Sequence, residues 1–118
     1  MLKRLLAKPL LSDEVETLIQ LELDSILGVC QPCCVYLFGS AARHQMTDAS
    51  DLDLLVVLPD PSDLKVIKRS YYCRQKPHLW PVDLIFMQRS DFQIKSQIGG
   101  IAMICRQEGR IIFGGNGD

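Results

Sequence analysis

Two aspartates stand two residues apart in Asp51-Leu52-Asp53, at the start of the apolar run Leu52 to Leu58. In an extended strand, residues two apart point to the same face. The two carboxylates therefore project together, with stems about 7 Å apart by strand rise. A third acid, Asp83, opens another strand-like run, Val82-Asp83-Leu84-Ile85-Phe86. If the two runs are neighbours, three carboxylates converge. Like charges at such range raise one another's pKa, and partial burial adds to the cost. A bound divalent cation offsets both. Mg2+ takes oxygen ligands and is commonly held by one or two carboxylates plus substrate phosphates. Two such ions about 3.5–4 Å apart can serve the attacking and the leaving oxygen of an in-line displacement. Alone, Asp-x-Asp is weak evidence. A turn residue followed by strand-edge decoration gives the same letters.

A second feature changes the weight. The run Val35 to Phe38 leads into Gly39-Ser40-Ala41-Ala42-Arg43. Glycine lets backbone come close to a ligand. A short helix expected over Ser40 to Gln45 would offer unpaired N–H groups and a partial positive charge to an anion. Ser40 adds a hydroxyl. Together these read as a phosphate cradle. It is not a Walker loop, because no Gly-Lys-Ser/Thr is present. A plain turn accounts for Gly39 but not for its pairing with the acids.

The elements that must position these residues are legible in the chain. Ser12 is placed to cap a helix carrying Val15, Ile19, Leu23, Ile26 and Leu27 at helical spacing, stopped by Gly28. Cys34 to Phe38 reads as a strand, and Thr47 to Ser50 as a polar turn. Leu52 to Leu58 is the strongest strand, ended by Pro59 and Pro61. Ser62 or Asp63 caps a second helix expected to reach Lys76 and to end at Pro77. Val82 to Met87 is a third strand. Ser90 or Asp91 opens further helix, interrupted at Gly99-Gly100 and running to about Gln107. Arg110 to Phe113 is the last strand. The order predicts an α/β (α+β) domain, residues 1–118, with residues 114–118 frayed. Its mixed sheet has about four strands and its helices lie mainly on one face.

The joint spacing resembles a known signature. Gly39-Ser40, ten intervening residues, then Asp51-x-Asp53 is similar to the DNA polymerase beta-type nucleotidyltransferase superfamily. Leu37-Phe38-Gly39-Ser40-Ala41-Ala42-Arg43, Ser50-Asp51-Leu52-Asp53-Leu54 and Gln107-Glu108-Gly109-Arg110-Ile111-Ile112 extend the resemblance over nearly the whole chain. Within that superfamily it resembles the small single-domain members, the minimal nucleotidyltransferases (MNT). Many members carry glycine after the arginine, where this chain has His44. The resemblance implies that Gly39 and Ser40 hold the triphosphate of ATP and that Asp51 and Asp53 bind two Mg2+ ions. It implies that Asp83 helps bind the catalytic ion and draws the proton from the acceptor hydroxyl. Arg43 contacts phosphate, locks the loop, or makes a surface salt bridge.

Composition bounds the rest. The formal net charge is -1, so no global field draws nucleic acid or membrane, and no direct nucleic-acid contact is expected. No apolar run approaches the ~18 residues that span a bilayer. The leucine-rich start is broken by Lys8 and Pro9 and does not read as a signal peptide, so a cytoplasmic location is expected. Five cysteines include Cys30-x-x-Cys33, but no second pair completes a zinc site. Reduced thiols are the better reading. Lys65, Lys68 and Arg69 read as a solvated helix face. Of Tyr71, Tyr72 and Trp80, at least two are expected in core packing. The chain leaves no room for an acceptor-binding domain, so the acceptor comes from a partner or an oligomer. Small relatives of this kind resemble the antitoxin half of HEPN/MNT toxin–antitoxin pairs. That resemblance implies AMP transfer from ATP to a tyrosine of a helical HEPN-domain RNase toxin. The alternatives are a module that neutralises its partner by contact, and transfer to a small molecule. A homo-oligomer stays open.

Overall fold

A computed structural model of the chain describes residues 7–74 and 80–115. Strand β2 (Leu52–Leu58) is its centre. Its residues are almost continuously apolar because both of its faces are covered, as in the middle of a layered sheet. It pairs antiparallel with β1 (Cys34–Phe38) and parallel with β3 (Val82–Gln88). The last strand, β4 (Arg110–Gly114), pairs antiparallel with β1. The sheet is therefore mixed and four-stranded, in the order β3-β2-β1-β4.

Alternation along the strands splits the core in two. On one face Val35, Leu37, Leu52, Leu54, Val56, Leu58, Leu84 and Phe86 meet helix α1 (Ser12–Leu27) and helix α2 (Leu64–Cys73). Helix α1 contributes Ile19, Leu23 and Ile26, as its spacing predicts, and α2 contributes Tyr71. One polar residue joins them: Glu22 is fully buried, and the Tyr71 hydroxyl donates to its carboxylate. On the opposite face Cys34, Tyr36, Leu55 and Val57 meet helix α3 (Arg89–Lys95) and helix α4 (Gly100–Glu108) through Phe92, Ala102 and Cys105. The two longer helices share one face as expected. The other face is not bare, since α3 and α4 cover part of it.

The local differences have physical causes. Helix α1 begins at Ser12 itself, and Leu11 is its cap residue. The Glu14 carboxylate accepts the Leu11 N–H at 3.0 Å, so the acid in the first turn replaces the Ser12 hydroxyl as the cap. Asp63 caps α2 as expected, accepting from the Val66 N–H at 3.2 Å. That helix ends at Cys73, where Arg74 turns extended, short of the expected Lys76. Lys76 and Pro77 lie outside the described residues. Helix α3 starts at Arg89, one residue before Ser90. Its end is held from a distance, because Asp60 accepts the Ser90 N–H at 2.9 Å and the Ser90 hydroxyl. Gly99, at φ 158°, caps α4, and Gly100, at φ 75°, is its first residue, so the break between α3 and α4 falls at the expected glycines.

The largest departure is at 40–45, where no helix forms. The segment is a tight turn in which Gln45 N–H donates to Ser40 O at 2.8 Å and His44 N–H to Ala41 O at 3.2 Å. His44 sits at φ 56°, in the left-handed region that favours glycine, and this reverses the chain before a second turn can form.

Candidate active site

Pairing between strands decides where the acids stand. Asp53 is in register with Asp83 across the parallel β2–β3 pair and with Phe38 across the antiparallel β1–β2 pair. Neighbouring strands lie about 4.8 Å apart, so the stems of Asp53 and Asp83 are side by side. Asp51 lies just before β2, exposed, on the same alternation. All three belong to the face that α3 and α4 cover further along. Leu55 and Val57 lie beneath Phe92, Ala102 and Cys105. The cover stops before the strand starts, leaving Asp53 half-buried and Asp83 exposed.

Gly39 completes the arrangement. It has φ 72°, and a Cβ at this position would come within 2.1 Å of the Asp53 Oδ2. Glycine is thus required twice, by the backbone conformation and by the close approach of the carboxylate. Beyond it the amides of Ser40, Ala41 and Ala42 donate to no acceptor among the described residues. The macrodipole expected from a helix is absent because the helix is absent. The unbonded amides of the turn remain, Ser40 among them lining the adjoining cleft, and such amides can bind phosphate oxygens. A cleft of about 350 Å³ is lined by Gly39, Ser40, Arg43, Thr47, Ala49, Ser50, Asp51 and Asp53. Asp83 stands outside this lining, alongside Asp53. Thr47 and Ser50 were legible only as a polar turn. They hold each other through the Thr47 N–H to Ser50 Oγ bond at 2.9 Å, and both line the cleft.

The electrostatics match the geometry. Burial pushes the Asp53 carboxyl above its ordinary range, and the charges of Asp83 and Asp51 push it further; Arg43 opposes them. No side chain among the described residues donates a hydrogen bond to any of the three carboxylates. Arg43 is exposed, and its Nε donates to Gln45 Oε1 at 3.2 Å, which braces the turn from outside. On the far side of the turn Arg110 grips Glu16 through two bonds of 2.6 and 3.0 Å, tying β4 to α1. That guanidinium holds Glu16 below the usual carboxylate range.

Asp53 has unspent negative charge beside it and oxygen donors only. Among the described residues no three His, Cys, Asp or Glu side chains are grouped to hold a metal ion. Asp51, Asp53 and Asp83, expected to converge, thus form no cage of three; the oxygen donors of Asp53 and its in-register neighbour Asp83 are of the type that shares a hard cation with phosphates. Asp53 with Asp83 or Asp51 would hold it. The cysteines offer no competing site. None of the five is in a disulfide, Cys34 and Cys105 are buried, and burial raises Cys30 to about 11 and Cys105 to about 12.

A mixed sheet brings Asp53 and Asp83 into register beside the Gly39 turn. The family model for the nucleotidyltransferase domain matches residues 13–108, and the chain belongs to that family. Its reaction class is nucleotidyl transfer. The fold is similar to the crystal structure of a protein from Sulfolobus solfataricus assigned as a nucleotidyltransferase. That likeness has a TM-score of 0.50 at 17% identity and covers 85% of this chain and 79% of the other. Among curated proteins none matches. No helix among the described residues is long and apolar enough to cross a membrane.

Proposed function

We propose that the chain transfers AMP from ATP, with Mg2+, to a hydroxyl of a partner protein, a tyrosine of a helical HEPN-type toxin being the leading acceptor. The observation that supports this reading most is the exposure of Asp83. Asp83 stands exposed outside the cleft that Asp51 and Asp53 line, where a hydroxyl carried on a bulky surface can reach it without entering a pocket. The amides of the turn and Ser40 bind the phosphates, Asp51 and Asp53 bind Mg2+, and Asp83 helps to bind it. The cation, when bound, neutralises charge that develops at phosphorus. Asp83 takes the proton as the acceptor oxygen bonds to the α-phosphorus. The bond from that phosphorus to the β-phosphate bridging oxygen breaks, and pyrophosphate leaves. Catalysis of this kind is positioning plus electrostatics.

Neutralisation of the partner by contact alone is the second reading. It is favoured by the isoleucines that α3, α4 and their junction expose, Ile94, Ile98, Ile101 and Ile104. Incubation with ATP, Mg2+ and the co-encoded partner separates the two. A mass gain of one or more AMP units on the partner supports transfer. An unmodified partner that Asp51→Asn plus Asp53→Asn still neutralises overturns it in favour of contact.

A further inference from the structure

Asp51 presents a difficulty that the sheet does not solve. Asp53 and Asp83 are held by the ladder, in register on adjacent strands. Asp51 precedes the first ladder residue and is exposed. A group that must meet a cation or a phosphate within a few tenths of an ångström needs a second anchor. The peptide that carries its N–H begins at the Ser50 carbonyl. That carbonyl accepts a hydrogen bond of 3.1 Å from the Trp80 indole Nε1. Trp80 lies three residues before Asp83 and packs its ring against the larger core. Leu52 N–H donates to Pro81 O at 3.0 Å, immediately alongside. On the other side, Ser50 N–H donates to Thr47 O at 3.1 Å and Ser50 Oγ accepts from Thr47 N–H.

From this we infer that Trp80 is a positioning residue for nucleotidyl transfer. Its indole pins the Ser50–Asp51 peptide to the start of the Asp83 strand and so sets where Asp51 stands relative to Asp53 and Asp83. The inference rests on the reading of those acids as the cation and phosphate site. It assigns the indole two separable tasks. The ring fills the core, and the N–H orients the peptide. A ring without the N–H keeps the first task and loses the second.

The chain has one tryptophan, which makes the test clean. Trp80→Phe and replacement of Trp80 by benzothienylalanine, a sulfur-for-NH ring of the same outline, are compared with wild type. Each is assayed for the Mg2+ dependence of transfer, the KM for ATP and the melting temperature. The wild-type indole emission is also followed as Mg2+ and ATP are added. Benzothienylalanine should raise the Mg2+ half-saturation about tenfold, the usual scale for one lost hydrogen bond. The melting temperature without Mg2+ should fall by only a few degrees, the scale of one hydrogen bond lost from the fold. Wild-type emission should shift on addition of Mg2+ with ATP, and the shift should vanish in Asp51→Asn. Wild-type Mg2+ half-saturation in the benzothienyl protein would overturn the positioning role, even if Trp80→Phe is too unstable to assay. Absence of any Mg2+ and ATP response in wild type would instead overturn the site on which the inference rests.

Discussion

The two ends of the sheet use their acids in opposite ways. At the far end, where β2 finishes and β3 gives way to α3, Asp60 and Asp63 accept backbone N–H groups and cap helices. The Ser90 hydroxyl and N–H hold the Asp60 carboxyl below its ordinary pKa. At the near end the carboxylates of Asp51, Asp53 and Asp83 accept nothing from the described residues, and Asp53 is pushed up by burial and by its two neighbours. One end spends its carboxylates on the fold. The other leaves them to repel. Charges kept close together without partners are a cost that folding alone does not repay, and such perturbed groups gather at sites of function. The same face of the sheet shows the contrast in its cover. Phe92 seals the far half, stacked on Tyr36 with ring centroids 5.3 Å apart, while the near half stays open.

Removal of the seal should have the largest effect on stability. Phe92→Ala empties a fully buried site and should cost about 3–5 kcal/mol in denaturant unfolding. Because Phe92 belongs to the far half, any protein that still folds should keep its Mg2+ half-saturation. A changed half-saturation would mean that the two halves are coupled.

At the near end the order of effects inverts. Asp53→Asn should lower nucleotidyl transfer by about 10²–10³-fold while raising the melting temperature without Mg2+ by about 1–3 °C. The sign follows from the raised pKa. A carboxyl whose folded pKa lies above its unfolded value binds its proton more tightly in the folded state. Stability therefore falls as pH rises from the unfolded through the folded pKa, and the ionised group is a net cost above that window. The gap between variant and wild type should be largest at neutral pH and close on acidification. With Mg2+ and ATP the wild type should gain more than the variant. Equal gains would break the distinction between the two ends.

Gly39→Ala tests the same end through its backbone. The added methyl must displace the Asp53 carboxylate at a position already at φ 72°. Transfer should fall at least tenfold, with an unfolding cost of about 1–2 kcal/mol. Full activity in this variant would show that Asp53 need not lie against the turn.

The smallest effect is expected at His44. Its left-handed conformation costs a residue with a Cβ something that glycine does not pay. His44→Gly should stabilise the chain by at most about 1 kcal/mol, part of the relief being lost to greater freedom in the unfolded state. A destabilised variant would mean that the imidazole contributes contacts worth more than the strain.

Much of this was legible in the chain. β1 and β2 fall at the bounds that their apolar runs predict, because a strand buried on both faces needs an unbroken run and its breakers are glycine and proline. Asp51, Asp53, Gly39 and Ser40 could be singled out because they are close in sequence and their spacing is rigid. The Ser40–Gln45 helix was misread because two alanines and an arginine favour a helix locally. What stops it is the φ of His44, which no propensity scale carries.

The sequence by itself determined the four strands, the longer helices, their apolar faces and the carboxylate pair, since these depend on periods of two and 3.6 residues along the chain. It also carried the family resemblance. Tertiary structure alone decided three things. It placed Asp83 beside Asp53, because strand order and register arise from packing and not from spacing. It buried Glu22 under the Tyr71 hydroxyl within a helix whose pattern marks that position as polar. It also ended the α3–α4 cover one residue pair short of the acids, which leaves the site open. Each joins residues at least thirty positions apart in the chain, or depends on how far one layer extends over another, and no local rule reaches that far.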